Sequence, residues 1–188
     1  AKQAASLDAI SNGRLTLGLG VGRRPDDYKA APARYNNRGR RFEAQIAYMK
    51  RVWSGEDVDP DNDVGPMGPP PVQKGGPEIL IGGGTPQAIA RAGRLADGFL
   101  ASGTQPESVE ASYKMAVDAW NEAGKPGKPR LAAVASYALG PNAANVAGDY
   151  IRHYYSFLGS VAEQMAQNAV SSTEALTGMI RDLEGIGM

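Results

Sequence analysis

The sequence has no cysteine and one histidine, His153, in 188 residues. Disulfides, thiolate-held zinc, iron–sulfur clusters and cysteine nucleophiles are thereby excluded, and a three-histidine metal site is impossible. No tight carboxylate cluster suggests a metal, so no metal site is expected. Neither charge sign is in excess: Lys plus Arg and Asp plus Glu number 20 each. A general nucleic-acid binder usually shows a basic surplus, so no nucleic-acid partner is expected. No apolar run reaches the ~18 residues of a membrane span. No secretory signal is visible, and the expected setting is cytoplasmic. Ser102 and Ser136 lie in no Gly-x-Ser-x-Gly elbow, which argues against a serine hydrolase.

Glycine and proline are plentiful, at 24 and 13 residues. They gather at predicted strand ends and in one excursion, residues 57–77, where proline removes donors and polar turn residues punctuate the chain. The rest alternates. Helices are predicted at 2–11, 38–53, 86–96 and 106–123. Strands are predicted at 14–21, 78–81, 98–101 and 130–139. Residues 23–37 read as a polar loop. Residues 143–169 read as helical with a break near Gly148 or Gly159. Ser171 to Glu174 carries a capping-box pattern opening a last helix. Alternation of this kind demands parallel strands with helical crossovers, in one domain over 1–188. An open doubly wound sheet and an eight-stranded barrel both satisfy it. Four strands are half a barrel, and the chain reads as cut at both ends.

The segment Glu78 to Ser102 is the most informative. It reads as strand, glycine-rich elbow, helix and strand. In the elbow, Gly82-Gly83-Gly84 lets the backbone approach a ligand, Thr85 suits an N-cap and Pro86 the first helical position. A helix start favours an anion. The same residues also fit a tight turn with no ligand. A second strand ends in Gly18-Leu-Gly20-Val21-Gly22. In parallel α/β folds, ligands sit at the carboxyl ends of strands. This second run is not a dinucleotide fingerprint, because no helix opens at its third glycine.

Arg23, Arg24, Arg34, Arg38, Arg40 and Arg41 form a local basic run. It fits a clamp for a phosphate or an acidic cofactor tail, but for most of its members the favoured reading is a solvated face balanced by Asp26, Asp27 and Glu43. Arg38, where the loop meets its helix, is the member retained as a candidate. His153 lies among Tyr150, Tyr154, Tyr155 and Phe157; packing or surface is its ordinary role. Asp97 opens a strand at the end opposite the glycines and reads as structural.

Several blocks together resemble the bacterial luciferase-like monooxygenases and the related flavin- or F420-dependent oxidoreductases. Lys2 to Gly22 resembles that family's helix and fourth strand. Arg38-Gly-Arg-Arg-Phe-Glu43 to Trp53 is similar to its next helix. Pro77-Glu-Ile-Leu-Ile-Gly-Gly-Gly84, with Ala96-Asp97-Gly98-Phe99, is similar to its fifth and sixth strands. The resemblance implies a TIM (β/α)8 barrel, incomplete here, with about strands 4–7 present and the first three and the last missing. It implies FMN or coenzyme F420 as cofactor, serving monooxygenation or hydride transfer with a small organic substrate. The cofactor phosphate would meet Gly82, Gly83, Gly84 and Thr85, with Arg38 a further candidate, and Gly20, Val21 and Gly22 would lie near the ring or its ribityl chain. Catalytic residues are not identified, since the family's first strands supply them. A flavin reductase or other supplier of reduced cofactor and a homodimer are the protein partners it allows. Alternatives are a non-catalytic flavin- or phosphate-binding protein of the same fold, a fragment inactive by itself, or an open α/β sheet binding a sugar phosphate. An exposed apolar sheet edge is expected unless a partner or the missing segments cover it.

Overall fold

The computed structural model describes residues 1–62 and 65–188. Asp63 and Val64 of the predicted excursion lie outside the described residues. Contacts group the chain into two units, Ala1–Ala101 with Ser112–Ala132, and Ser102–Ala111 with Ala133–Met188.

The first unit is built on a sheet whose strands run β1 (Thr16–Leu19), β2 (Glu78–Gly82), β3 (Gly98–Ser102) and β4 (Arg130–Val134), in that spatial order. β1 pairs with β2, and β2 with β3, in parallel. The order follows the chain without reversal. β2 is the central apolar run: Ile79, Leu80 and Ile81 are at most 5% exposed. A parallel strand covered on both faces needs such a run rather than alternation. Each large apolar side chain buried this way contributes roughly 1.5–3 kcal/mol. β1 is an edge strand, and its leucines Leu17 and Leu19 are half-buried while Thr16 and Gly18 are exposed. The predicted period of two is therefore present, over fewer residues than the predicted 14–21.

Helices α1 (Lys2–Ser11), α3 (Arg38–Trp53), α4 (Pro86–Leu95) and α5 (Pro106–Glu122) follow the prediction. α1 ends where Asn12 takes the left-handed conformation, φ 53°. On α3 the predicted stripe is present, with Ile46, Val52 and Trp53 buried and Phe42 and Met49 half-buried. α4 and α5 meet closely at Gly93: an added Cβ would lie 2.5 Å from the Ala116 carbonyl oxygen and 2.7 Å from Ala119 Cβ.

Polar ties gather at the amino ends of the strands. The Ile79 N–H donates to Asp97 Oδ2 at 2.9 Å, and the Asp97 N–H donates to the Ile79 carbonyl at 2.8 Å. Glu78 Oε2 accepts from Thr16 Oγ1 at 2.7 Å and from Arg130 Nη1 at 2.5 Å. Asp97 thus has the structural role expected of it. Nearby, Lys50 Nζ donates to the Leu95 carbonyl at 2.8 Å, and Lys125 Nζ donates to the carbonyls of Gly93 and Ala96. Burial pushes the Lys125 ammonium below its ordinary range, against the opposing charge of Asp97.

Three predicted details are corrected, and a fourth, the helix break expected at Gly148 or Gly159, is narrowed to one of its two positions. Residues 23–37 are not all loop: α2 (Pro25–Ala30) starts on Pro25, with Asp26 and Asp27 in its first turn. The strand predicted over 130–139 stops at Val134, and Tyr137 forms only an isolated bridge with Val170. The helix over 143–169 divides into α6 (Ala143–Tyr154) and α7 (Ser160–Gln167), with the break at Gly159, φ 59°, and not at Gly148. Gly148 lies inside α6, where an added Cβ would fall 3.0 Å from Arg152 Nη1 and, at ordinary contact distance, 3.8 Å from the Ala166 carbonyl oxygen. Ser172, not Ser171, caps α8 (Thr173–Gly185), accepting from the Ala175 N–H at 3.1 Å. Glu174 is then one position too early to close a capping box.

In the second unit α6 and α7 are joined by Arg152, which donates to both Glu163 carboxylate oxygens at 2.7 and 3.1 Å. Tyr150 stacks on Tyr154 with centroids 5.7 Å apart. His153 is exposed on α6 beside them.

Candidate functional site

The two glycine-rich strand ends meet. Leu19 is in register with Ile81, so the chain leaves β1 and β2 side by side. An added Cβ on Gly20 would lie 3.8 Å from the Gly82 carbonyl oxygen. A parallel sheet puts both exits at the same edge, opposite the Asp97 and Glu78 ties.

The elbow's three glycines are not equivalent. At Gly82 an added Cβ would approach the Leu100 carbonyl oxygen at 3.3 Å. At Gly83 it would lie 2.5 Å from Ala88 Cβ, inside contact distance. Gly83 lets β2 turn tightly onto α4, and Gly82 lets it lie close to β3. At Gly84 an added Cβ would meet nothing within 4 Å. Gly84 therefore faces open space, and no packing within the chain requires a glycine there.

Thr85 is the N-cap of α4: its hydroxyl accepts from the Ala88 N–H at 3.3 Å. The Thr85 carbonyl also takes the N–H groups of Ala88 and Ile89, at 2.9 and 3.0 Å. Pro86 has no N–H. Among the described residues the N–H groups of Gly84, Thr85 and Gln87 have no hydrogen-bond partner. The donors left for an anion at this helix start come from these three residues, since Pro86 has none and the Ala88 N–H is taken.

Beyond β1, Gly22 has φ 75°, a conformation that glycine tolerates. The Tyr28 hydroxyl donates to the Val21 carbonyl. Tyr28 meets Tyr35 edge-on at 5.2 Å. Arg38 does not turn to the elbow: its guanidinium lies 3.8 Å over the Tyr35 ring and donates to the Tyr35 carbonyl at 3.1 Å. The structure thus brings Gly20 against Gly82 and sets Arg38 in a separate aromatic group.

Sequence reasoning missed one part of this strand end. A groove of about 630 Å³ runs along α3, lined by Leu19, Arg41, Phe42, Ile46 and Met49 among others. Arg41 is its cation, and the same guanidinium lies 5.6 Å over the Tyr28 ring. The signal was the stripe of Phe42, Ile46 and Met49 on α3, with Arg41 beside it.

Among the described residues no group of three or more His, Asp or Glu could hold a metal ion, and no helix is long and apolar enough to cross a membrane.

Known proteins share this arrangement. The monooxygenase RslO1 from Streptomyces bottropensis superposes with a TM-score of 0.67 at 23% identity, over 97% of this chain and 61% of that one. An F420-dependent secondary alcohol dehydrogenase, solved with an F420–acetone adduct, gives 0.69 at 16% identity, over 98% and 65%. The coenzyme F420-dependent tetrahydromethanopterin reductase from Methanopyrus kandleri gives 0.66 at 17%, over 98% and 69%. At such identities the likeness is one of fold. In sequence, Rv0953c of Mycobacterium tuberculosis is 30% identical over 144 residues, 71% of this chain and 49% of its own length. Rv0940c of the same organism is 32% identical over 133 residues, 66% of this chain and 44% of its own length. The chain spans about half the length of these curated relatives. The model of the luciferase-like monooxygenases matches residues 1–184. With the parallel sheet and its glycine-rich exits, this match covers nearly the whole chain, which therefore belongs to the luciferase-like monooxygenase family.

Proposed function

We propose that this chain carries the cofactor-holding part of an oxidoreductase that uses FMN or coenzyme F420 on a small organic substrate. The carrying observation is the open space at Gly84, beside a turn whose other glycines are filled by the protein's own atoms. A cradle that a Cβ would occupy, with unpartnered N–H groups at Gly84, Thr85 and Gln87, fits a phosphate. Gly83 shapes the turn, Gly82 lets β2 lie close to β3, and Thr85 fixes the helix start behind the turn. Gly20, Val21 and Gly22 keep the neighbouring backbone low where the ring or its ribityl chain would lie. When bound, the cofactor supplies the redox chemistry. This chain's residues bind it, orient it and form one wall of its site.

The strand order supports a partial (β/α)8 barrel. A doubly wound sheet places its ligand where the order reverses, and β1 to β4 run without reversal. In a barrel, by contrast, every strand delivers its carboxyl end to one face. In this reading the working enzyme is a cytoplasmic protein, supplied with reduced cofactor by a separate reductase where FMN is used, and open to homodimer formation.

The test is cofactor affinity of the full-length protein carrying Gly84→Val. Fluorescence titration with FMN and with F420 is expected to show affinity for the cofactor it uses falling by at least tenfold, on the scale of ~1.4 kcal/mol per decade, with the thermal melt unchanged. Wild-type affinity in a folded Gly84→Val protein would overturn the phosphate assignment.

A further inference from the structure

The basic run between β1 and α3 departs from the rest of the chain. Residues 22–41 hold seven of the 20 Lys and Arg and two of the 20 Asp and Glu. The other residues therefore carry 13 basic against 18 acidic side chains, so a neutral protein has one strongly positive segment. Elsewhere its arginines are mostly paired: Arg51, Arg91, Arg94, Arg130 and Arg152 each contact a carboxylate. Among the described residues Arg23, Arg34, Arg38, Arg40 and Arg41 make no ion pair.

Two of these arginines are held in place without being neutralised. Arg38 lies over Tyr35 and Arg41 over Tyr28, and the two rings meet edge-on. Tyr28 is tied to the Val21 carbonyl and Tyr35 to the Arg23 carbonyl. The rings fix the guanidinium stems by cation–π contact and leave N–H donors unused. Their position also opposes local stability. α3 has no acidic residue in its first turn and no side-chain cap, so Arg38, Arg40 and Arg41 add positive charge to the positive end of a helix. Preorganised cations that conflict with the local field mark a site whose stabilising partner is a ligand.

The location identifies the ligand's chemistry. Arg41 lines the groove beside Leu19, the residue before Gly20, whose backbone adjoins Gly82 of the elbow. We propose that Arg38 and Arg41 form a second anion site at the same strand end as the elbow, taking an anionic group that the cofactor carries beyond its phosphate. The inference rests on the elbow's cofactor assignment. It selects between the two cofactors: FMN ends at one phosphate, whereas F420 continues past its phosphate into carboxylates. Arg38 and Arg41 are thus residues that set specificity, and F420 is the cofactor they favour.

The experiment titrates the full-length protein with F420 and with FMN, at about 50 and about 300 mM KCl, in three forms: wild type, R38Q/R41Q and R38K/R41K. Losing two half-buried charge contacts is expected to weaken F420 roughly tenfold and to flatten its salt dependence. FMN changes by less than about twofold. The lysine pair keeps the charge and restores most of the F420 affinity. Equal weakening of both cofactors, or no weakening of F420, overturns the second site. The elbow fails independently, through Gly84→Val. If neither cofactor binds the wild type, a γ-linked triglutamate peptide is titrated instead. Salt-dependent binding lost in R38Q/R41Q then sustains the anion site, and no binding overturns it.

Discussion

Asp8 on α1 and Gln73 at the end of the excursion are joined twice. Asp8 Oδ1 accepts from Gln73 Nε2 at 2.7 Å, and Asp8 Oδ2 accepts from the Gln73 N–H at 3.0 Å. The Val72 N–H also donates to Oδ2, at 2.8 Å, and Gln73 Nε2 reaches on to the Leu15 carbonyl at 2.7 Å. Asp8 is fully buried, at 0% exposure. One carboxylate therefore latches the returning excursion to α1 and to the entry of β1.

The latch predicts a pH dependence. Burial pushes the Asp8 carboxyl up, while the Gln73 side-chain amide and the N–H groups of Gln73 and Val72 pull it down, leaving it below its ordinary 3.8. A carboxyl lowered on folding adds stability above its unfolded value and loses it as pH falls through the folded one. Asp8→Asn cannot accept all three donors through its amide nitrogen side. Its melting temperature is expected to fall by several degrees at pH 7, with the gap to wild type narrowing below about pH 4. A constant gap across that range would disprove the latch. Thermal melts by circular dichroism decide it.

Asp97 makes a different kind of prediction, because its partner is a backbone group. Asp97→Ala leaves the N–H of Ile79, a residue with 0% exposure, without its acceptor. A buried donor left unmade costs roughly 1–3 kcal/mol. Urea unfolding should show that loss as a lower midpoint at unchanged slope. Cofactor affinity should stay at the wild-type level, since Asp97 sits at the opposite end of the strands from the elbow.

Gly93 tests the packing of α4 on α5. A side chain there meets the Ala116 carbonyl oxygen, Ala119 Cβ and the Trp120 backbone nitrogen, all within 2.8 Å. Two of these three are backbone atoms that cannot rotate away. Gly93→Val should therefore destabilise by about 1–3 kcal/mol or more through overpacking. Denaturant unfolding would detect it, and a neutral result would mean that the two helices can separate at little cost.

Local chemistry carried much of this fold into the sequence. The Ile79-Leu-Ile81 run, the stripe on α3 and the Thr85-Pro86 start of α4 are local patterns, and all three were legible. So was the common face of the two glycine-rich strand ends, once parallel alternation was read; that they are neighbours was not. What escaped depends on distant partners. Asp8 and Gln73 are 65 positions apart, and no periodicity marks a carboxylate that will meet backbone N–H groups across that span. α2 was hidden in a short polar segment whose signal was only Pro25 with two aspartates. β4 was read too long because Ala135 to Leu139 is as small and apolar as the strand itself. The inequality of Gly82, Gly83 and Gly84 was also invisible, since it is set by Leu100 and Ala88.

That inequality gives a paired prediction at the elbow. Gly83→Ala brings two methyl groups to 2.5 Å, so the turn must open and stability should fall by about 1–3 kcal/mol. Gly84→Ala places its methyl in open space and should stay within about 0.5 kcal/mol of wild type. Removing the opposing methyl provides the control. Because the clash is with Ala88 Cβ alone at that range, Gly83→Ala combined with Ala88→Gly should recover part of the loss, although glycine in the first turn costs roughly 0.5–1 kcal/mol. The coupling energy of the Gly83 and Ala88 changes should therefore be favourable, and unfolding measurements on the four proteins of the cycle give it directly. Additive losses would mean that Gly83 is required by the backbone path and not by Ala88. A marked loss in Gly84→Ala would mean that the space beside it is used by the protein itself, and the anion cradle would lose its support.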